Sequence, residues 1–167
     1  MTKPFIKYIW LLPIYVLIQV LVLNEVLFYS YINPYLYLAL IISWPIKTPK
    51  WRLLFYSFVL GLLVDILSGN LGFHSTATVF IAFIKPAIAK ITIPHNILAE
   101  NDEITINKIG NKAFIIFSFL IIFIHNTTLF ILEHLGFNLN ILIKILASSI
   151  VTLIVILILE IFKSSKK

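Results

Sequence analysis

Apolar residues run along this chain in blocks too long for the interior of a small soluble domain, with most polar positions gathered between the blocks. The first block, Tyr8 to Leu23, follows Lys3 and Lys7 and is broken by Pro13 and Gln19. No small-x-small cleavage pattern follows it, since Asn24-Glu25-Val26-Leu27-Phe28 is a poor site, so it reads as a retained span. Tyr29 to Tyr37, with Asn33-Pro34 in its middle, has the aromatic composition of an interfacial turn, and a second, short run follows from Tyr35 to Trp44 before Pro45 and Pro49 end it. A third run climbs from Leu53 to Leu67 into the tight connection Ser68-Gly69-Asn70-Leu71-Gly72. The fourth, Ser75 to Ile93, opens on Ser75 or Thr76 as a cap and carries Pro86, where a kink or an exit from the hydrocarbon is expected. Pro94 to Lys112 is the one sizeable polar stretch, a surface loop or short interfacial helix. The fifth run, Ala113 to Leu132, contains the polar island His125-Asn126-Thr127-Thr128, and the sixth runs from Leu139 to Phe162 with Lys144 near its start. The pattern predicts helices over about 6–28, 34–46, 51–68, 74–93, 110–133 and 138–163.

Composition sharpens this into an all-α integral membrane protein. Of 167 residues, 60% are hydrophobic and 12% charged, with a mean hydropathy of +1.04, which leaves room for one six-helix transmembrane bundle and no separate soluble domain. The formal charge of +6 would suggest nucleic acid on a soluble protein, but here it reads as an orientation signal. With an N-terminus inside, Lys3, Lys7, Lys47, Lys50, Arg52, Lys85, Lys90, Lys108, Lys112, Lys163, Lys166 and Lys167 all fall on the cytoplasmic side and Lys144 on the other. Six helices with both termini cytoplasmic are therefore expected. There is no cysteine, so neither a disulfide framework nor a thiolate metal site exists.

Candidate chemistry concentrates in Gly61 to His74, where an acid, three glycines and a histidine interrupt apolar sequence. A carboxylate in a membrane helix needs a partner, and this topology puts Asp65, Ser68, Asn70 and His74 at the outer face, at a depth similar to that of Lys144. An Asp65–Lys144 ion pair is one expectation; bracing of the turn by hydrogen bonds from Asp65 and His74 is the other. His125 and its neighbours suit an interhelical polar contact better than a ligand site. The spacings of His74, His125 and His134 match no metal motif, and no nucleophile elbow, paired acids or phosphate-cradling loop is present. No metal, cofactor or catalytic residue is expected.

The run Gly61-Leu62-Leu63-Val64-Asp65-Ile66-Leu67-Ser68-Gly69, followed by Leu71-Gly72-Phe73-His74, resembles the signature of the rod shape-determining protein family MreD, with G-L-x-x-D, then S-G, G and H at this spacing. The basic N-terminus, the early Asn33-Pro34 and the Pro and basic turn before the signature agree in order. By this resemblance Gly61, Asp65, Ser68, Gly69, Gly72 and His74 are the matching positions and form the corner between the third and fourth helices, with His125 and Lys144 as further structural or partner-binding candidates. It implies a bundle similar to the S components of energy-coupling-factor transporters, in the bacterial inner membrane. It further implies a non-enzymatic scaffold or regulator of the cell-elongation, peptidoglycan-synthesising machinery. The implied partners are an MreC-like bitopic membrane protein and, less directly, MreB and the elongation transpeptidase and glycosyltransferase. Membrane lipids are also implied, with a homodimer left open and no nucleic acid.

The alternative is a transport component holding a vitamin-like small molecule near the outer face, with Asp65, Asn70, His74, His125 and Lys144 as convergent polar groups. Against it, S components engage their coupling partner through small residues in the first helix, and Leu11 to Leu27 contains no Ala, Gly or Ser. An intramembrane enzyme would need a nucleophile, a metal or a carboxylate pair, and only Asp65 with the histidines comes near.

Overall fold

The computed structural model describes residues 3–25, 32–70, 72–100 and 103–164. The end of the first predicted helix at 26–28, the start of the aromatic turn at 29–31, Leu71 of the signature, Asp102, Lys166 and Lys167 lie outside them. Every extended element among the described residues is helical: α1 (Lys3–Ile18), which continues as a π-helical turn over Gln19–Leu23, α2 (Leu38–Ser43), α3 (Lys50–Ser68), α4 (Phe73–Thr92), α5 (His95–Glu100), α6 (Ile106–Ile109), α7 (Asn111–His134) and α8 (Leu139–Ser164). Five helices are long and apolar enough to cross a membrane, Ile6–Leu23, Lys50–Ser68, Phe73–Thr92, Asn111–His134 and Leu139–Lys163, which makes this a multi-pass membrane protein.

The second predicted helix, 34–46, takes another form. Only Leu38–Ser43 is α-helical, preceded by irregular backbone over 33–35 and a turn at 36–37 and closed by the Pro45–Pro49 turn. The Tyr8 hydroxyl donates to the Ser43 carbonyl at 2.6 Å and the Tyr56 hydroxyl to the Tyr8 carbonyl at 3.0 Å, so the starts of α1 and α3 and the end of α2 share one level. At the other level Gln19 bonds Pro34 and Leu36, and the Asn24 amide donates to Ser68 Oγ. Thus α1 and α3 run parallel, and residues 34–44 return between those levels, about 16 Å apart along α1. This return pass is inside the protein: Tyr35 through Ile42 and Trp44 are all buried. Irregular backbone at membrane depth is tolerated only with its polar groups satisfied by protein, and that requirement explains the polar side chains gathered around it.

Lys85, assigned from the sequence to the cytoplasmic surface, belongs to this interior. It is 1% exposed, and its ammonium donates to the carbonyls of Ile41 at 2.7 Å and Trp44 at 2.6 Å. The Ile41 carbonyl otherwise receives only the Trp44 N–H at 3.3 Å, and a donor at this end of a short helix satisfies carbonyls that the helix itself leaves under-bonded. Below it Tyr8, Trp44 and Tyr56 pack ring to ring, with centroids 4.8 Å and 4.5 Å from Trp44.

Central α4 packs between α3 and α7, and α7 carries α8. Its buried face includes Ala77, Ala82 and Ala89, small residues that let helix backbones approach where the hydrophobic effect cannot drive association. Pro86 does not end it; α4 runs on to Thr92. The polar stretch after it forms short α5 and α6, anchored by buried Ile93, Ile104 and Ile109. Lys7, Glu160 and Lys163 line one cleft, so the described starts and ends of the chain lie at the same end of the bundle.

Candidate functional site

The signature stretch folds into the corner between α3 and α4, and each singled-out residue there has a mechanical task. Gly61 faces α4 so closely that a Cβ would lie 2.4 Å from the Ser75 Cα and 2.4 Å from Thr78 Oγ1. Across this contact the Thr78 hydroxyl lies 2.8 Å from the Ser57 carbonyl. Four residues on, Asp65 is 1% exposed and accepts backbone N–H bonds from His74 at 2.9 Å and Ser75 at 2.8 Å. Those amides open α4 and have no helical acceptor, and a carboxylate beside them is further favoured by the helix dipole. The cap of α4 is therefore Asp65 from the neighbouring helix, whereas the expected caps Ser75 and Thr76 turn their hydroxyls back to the Gly72 carbonyl at 2.9 and 2.8 Å. Gly69 (φ 70°) and Gly72 (φ 85°) supply left-handed backbone on either side of the connection. Ser68 accepts the Asn24 amide and ties the corner to the end of α1.

Asp65 does not pair with Lys144. Both carboxylate oxygens are held by the α4 amides, and Lys144 lies 4.6 Å from the centroid of the Phe130 ring on α7. The bracing role is the one the geometry realises.

His74 on α4 and His125 on α7 meet through Tyr37. The Tyr37 hydroxyl lies 2.8 Å from His74 Nδ1 and 3.1 Å from His125 Nε2. On its other side His125 Nδ1 is 3.1 Å from Asn126 Oδ1, Asn126 Nδ2 donates to Ser149 Oγ at 3.0 Å, and Ser149 donates to the Ile145 carbonyl at 2.6 Å. With both imidazoles neutral, one assignment satisfies every donor in the chain. His74 Nδ1–H donates to Tyr37, Tyr37 O–H to His125 Nε2, and His125 Nδ1–H to Asn126, so all donors point from α4 toward α8. Tyr35 lies edge-on to both imidazoles, with centroids 5.7 and 5.5 Å away.

The return pass is fastened by the same kind of bond. Gln19, fully buried in the π-helical turn, donates to the Pro34 carbonyl at 3.0 Å and accepts from the Leu36 amide at 2.8 Å. From α8, Thr152 Oγ1 accepts the Tyr35 amide at 3.0 Å and Ser148 Oγ the Asn33 amide at 3.3 Å. Gln19, Tyr37, Lys85, Ser149 and Thr152 are thus structural centres that the sequence pattern does not mark as a group; the lone Gln in the first span is the one visible sign. His134, on the last turn of α7, faces the Phe130 carbonyl at 3.2 Å and takes no part in the contact that joins His74 and His125. Among the described residues no group of His, Asp and Glu is arranged to hold a metal ion.

Comparisons with protein-family models, with curated proteins and with solved structures find no match to this chain.

Proposed function

We propose that this chain is a non-enzymatic membrane scaffold of the bacterial cell-elongation machinery, an MreD-like protein of the inner membrane that binds an MreC-like bitopic partner and, through it, cell-wall synthases. One observation carries this reading beyond the sequence resemblance: the polar residues of the signature are consumed in holding the α3–α4 corner and the return pass. What faces outward is apolar helix surface, including Ile9, Trp10, Ile14, Leu17 and Leu21 along α1. Such a surface suits lateral packing against a partner's single span, with contact made by van der Waals fit. The cytoplasmic placement of both termini is part of the proposal and follows the bias of the basic residues.

The transport reading needs polar groups free to meet a ligand. Discontinuous helices in transporters do present carbonyl ends to cations, but at α2 that position is filled by Lys85. The outer-end candidates Asp65, His74 and His125 bond to protein groups.

The test is affinity purification of the tagged chain from its native membrane in mild detergent, with mass spectrometry of what accompanies it. A bitopic protein with an extracytoplasmic coiled coil, together with cell-wall synthases, is expected. A pair of ATPases with a coupling membrane subunit would overturn the scaffold in favour of transport.

A further inference from the structure

At the end of the bundle that gathers both described chain ends, a cleft of about 460 Å³ opens between the start of α1, the end of α8 and the segment leading into α6. Lys7, Lys108 and Lys163 stand along it, and Leu11, Tyr15 and Leu40 line it too. Along α1, Lys7 to Tyr15 spans about 12 Å, so the cleft grades from a charged rim into an apolar interior. Two carboxylates share it. Glu103 lies 3.5 Å from Lys108 and Glu160 lies 3.5 Å from Lys163, both longer than the 2.7–2.9 Å of a strong charge-assisted bond. An ammonium has three donors, so each lysine retains capacity for a further anion. Three ammonium groups against two carboxylates leave the rim positive.

We propose that this cleft is a binding site for an anionic phospholipid, its phosphate between Lys7, Lys108 and Lys163 and the start of its acyl chains against Leu11, Tyr15 and Leu40. The chemistry recognised at the rim is a phosphate monoanion. The apolar lining selects a lipid over a soluble phosphate ester, which would leave Leu11 and Leu40 unused. Basic pockets between membrane helices are suited to anionic head groups, which are most abundant in the cytoplasmic leaflet. The site is independent of the scaffold reading and would exist on either.

The full-length chain, purified in neutral detergent, is titrated with phosphatidylglycerol and with phosphatidylcholine and read by native mass spectrometry. Phosphatidylglycerol should bind in preference. Lys7→Gln or Lys163→Gln should weaken it about fivefold, and the triple variant with Lys108→Gln about a hundredfold. Glu103→Gln should tighten binding, a gain that a folding defect does not produce, and Lys163→Arg should retain it. Lys90→Gln and Lys112→Gln, which change exposed lysines elsewhere, should leave it unchanged. Equal weakening by Lys90→Gln or Lys112→Gln, equal binding of phosphatidylcholine, or displacement of the lipid by millimolar glycerol 3-phosphate would each overturn the proposal, the last in favour of a soluble phosphate ligand.

Discussion

Of the three signature glycines, Gly61 and Gly69 serve opposite needs, and substitutions should separate them. At Gly61 the obstacle is space: an added methyl meets Ser75 backbone at 2.4 and 2.7 Å, which no side-chain rotation relieves. Gly61→Ala should therefore push α3 from α4 and destabilise by about 1–3 kcal/mol, with more from larger residues. At Gly69 there is open space, and the cost is backbone conformation alone, about 1–2 kcal/mol for Ala at φ 70°. Thermal unfolding in detergent checks both, and Gly69→Asn should recover most of the Gly69→Ala loss because Asn tolerates the left-handed region. For Asp65, Asp65→Ala strands two α4 amides and should cost more than Asp65→Asn, which keeps one acceptor oxygen. If Asp65→Ala inserts normally and melts like the parent, the bracing assignment is falsified.

Among the elements, α2 departs most from what the hydrophobic pattern predicts. A ten-residue run, apolar but for Ser43, between an Asn-Pro and a Pro reads as a short span, because composition does not distinguish a helix in lipid from a partly irregular segment inside protein. The distinction lies in distant residues, namely Gln19, Lys85, Ser148 and Thr152, whose side chains meet the backbone groups on either side of the short helix. In sequence each is a single polar break in an apolar run, indistinguishable from one facing a loop, and this is why Lys85 reads as a surface charge. The α3–α4 corner was legible for the converse reason: its bonds are between near neighbours, nine and ten residues apart, and left-handed glycines mark the turn. Lys85→Met keeps the length of the side chain but removes the donor shared by the Ile41 and Trp44 carbonyls. It should cost about 1–3 kcal/mol and accelerate amide hydrogen exchange across 38–44 before the long helices respond.

For the whole molecule, the arrangement places Lys7, Lys108 and Lys163 at one end and Lys144 toward the other, where α7 turns into α8. The chain has no cysteine, so single cysteines can be introduced without background. With Lys112→Cys and Lys144→Cys in intact spheroplasts, a membrane-impermeant maleimide should label only the second, and the first should react once the membrane is opened. Labelling of Lys112→Cys from outside would invert the proposed orientation. The Tyr37 relay joins three elements from distant parts of the chain, and Tyr37→Phe strands two imidazole nitrogens together. Its effect should appear as a loss of melting temperature for the bundle as a unit, from about 1–3 kcal/mol, with the corner itself intact.

The return pass also sets an order of events during synthesis. Residues 34–44 emerge from the ribosome before every partner that fastens them except α1: Lys85 follows on α4, His125 on α7, and Ser148 and Thr152 on α8. Until α8 is made, the Asn33 and Tyr35 amides lack their acceptors, and the segment cannot settle at membrane depth as an autonomous insertion unit. A nascent chain released before Leu139 therefore exposes an unfinished crossing to membrane quality control, and the last helix acts as the latch that completes a passage begun 117 residues before Thr152.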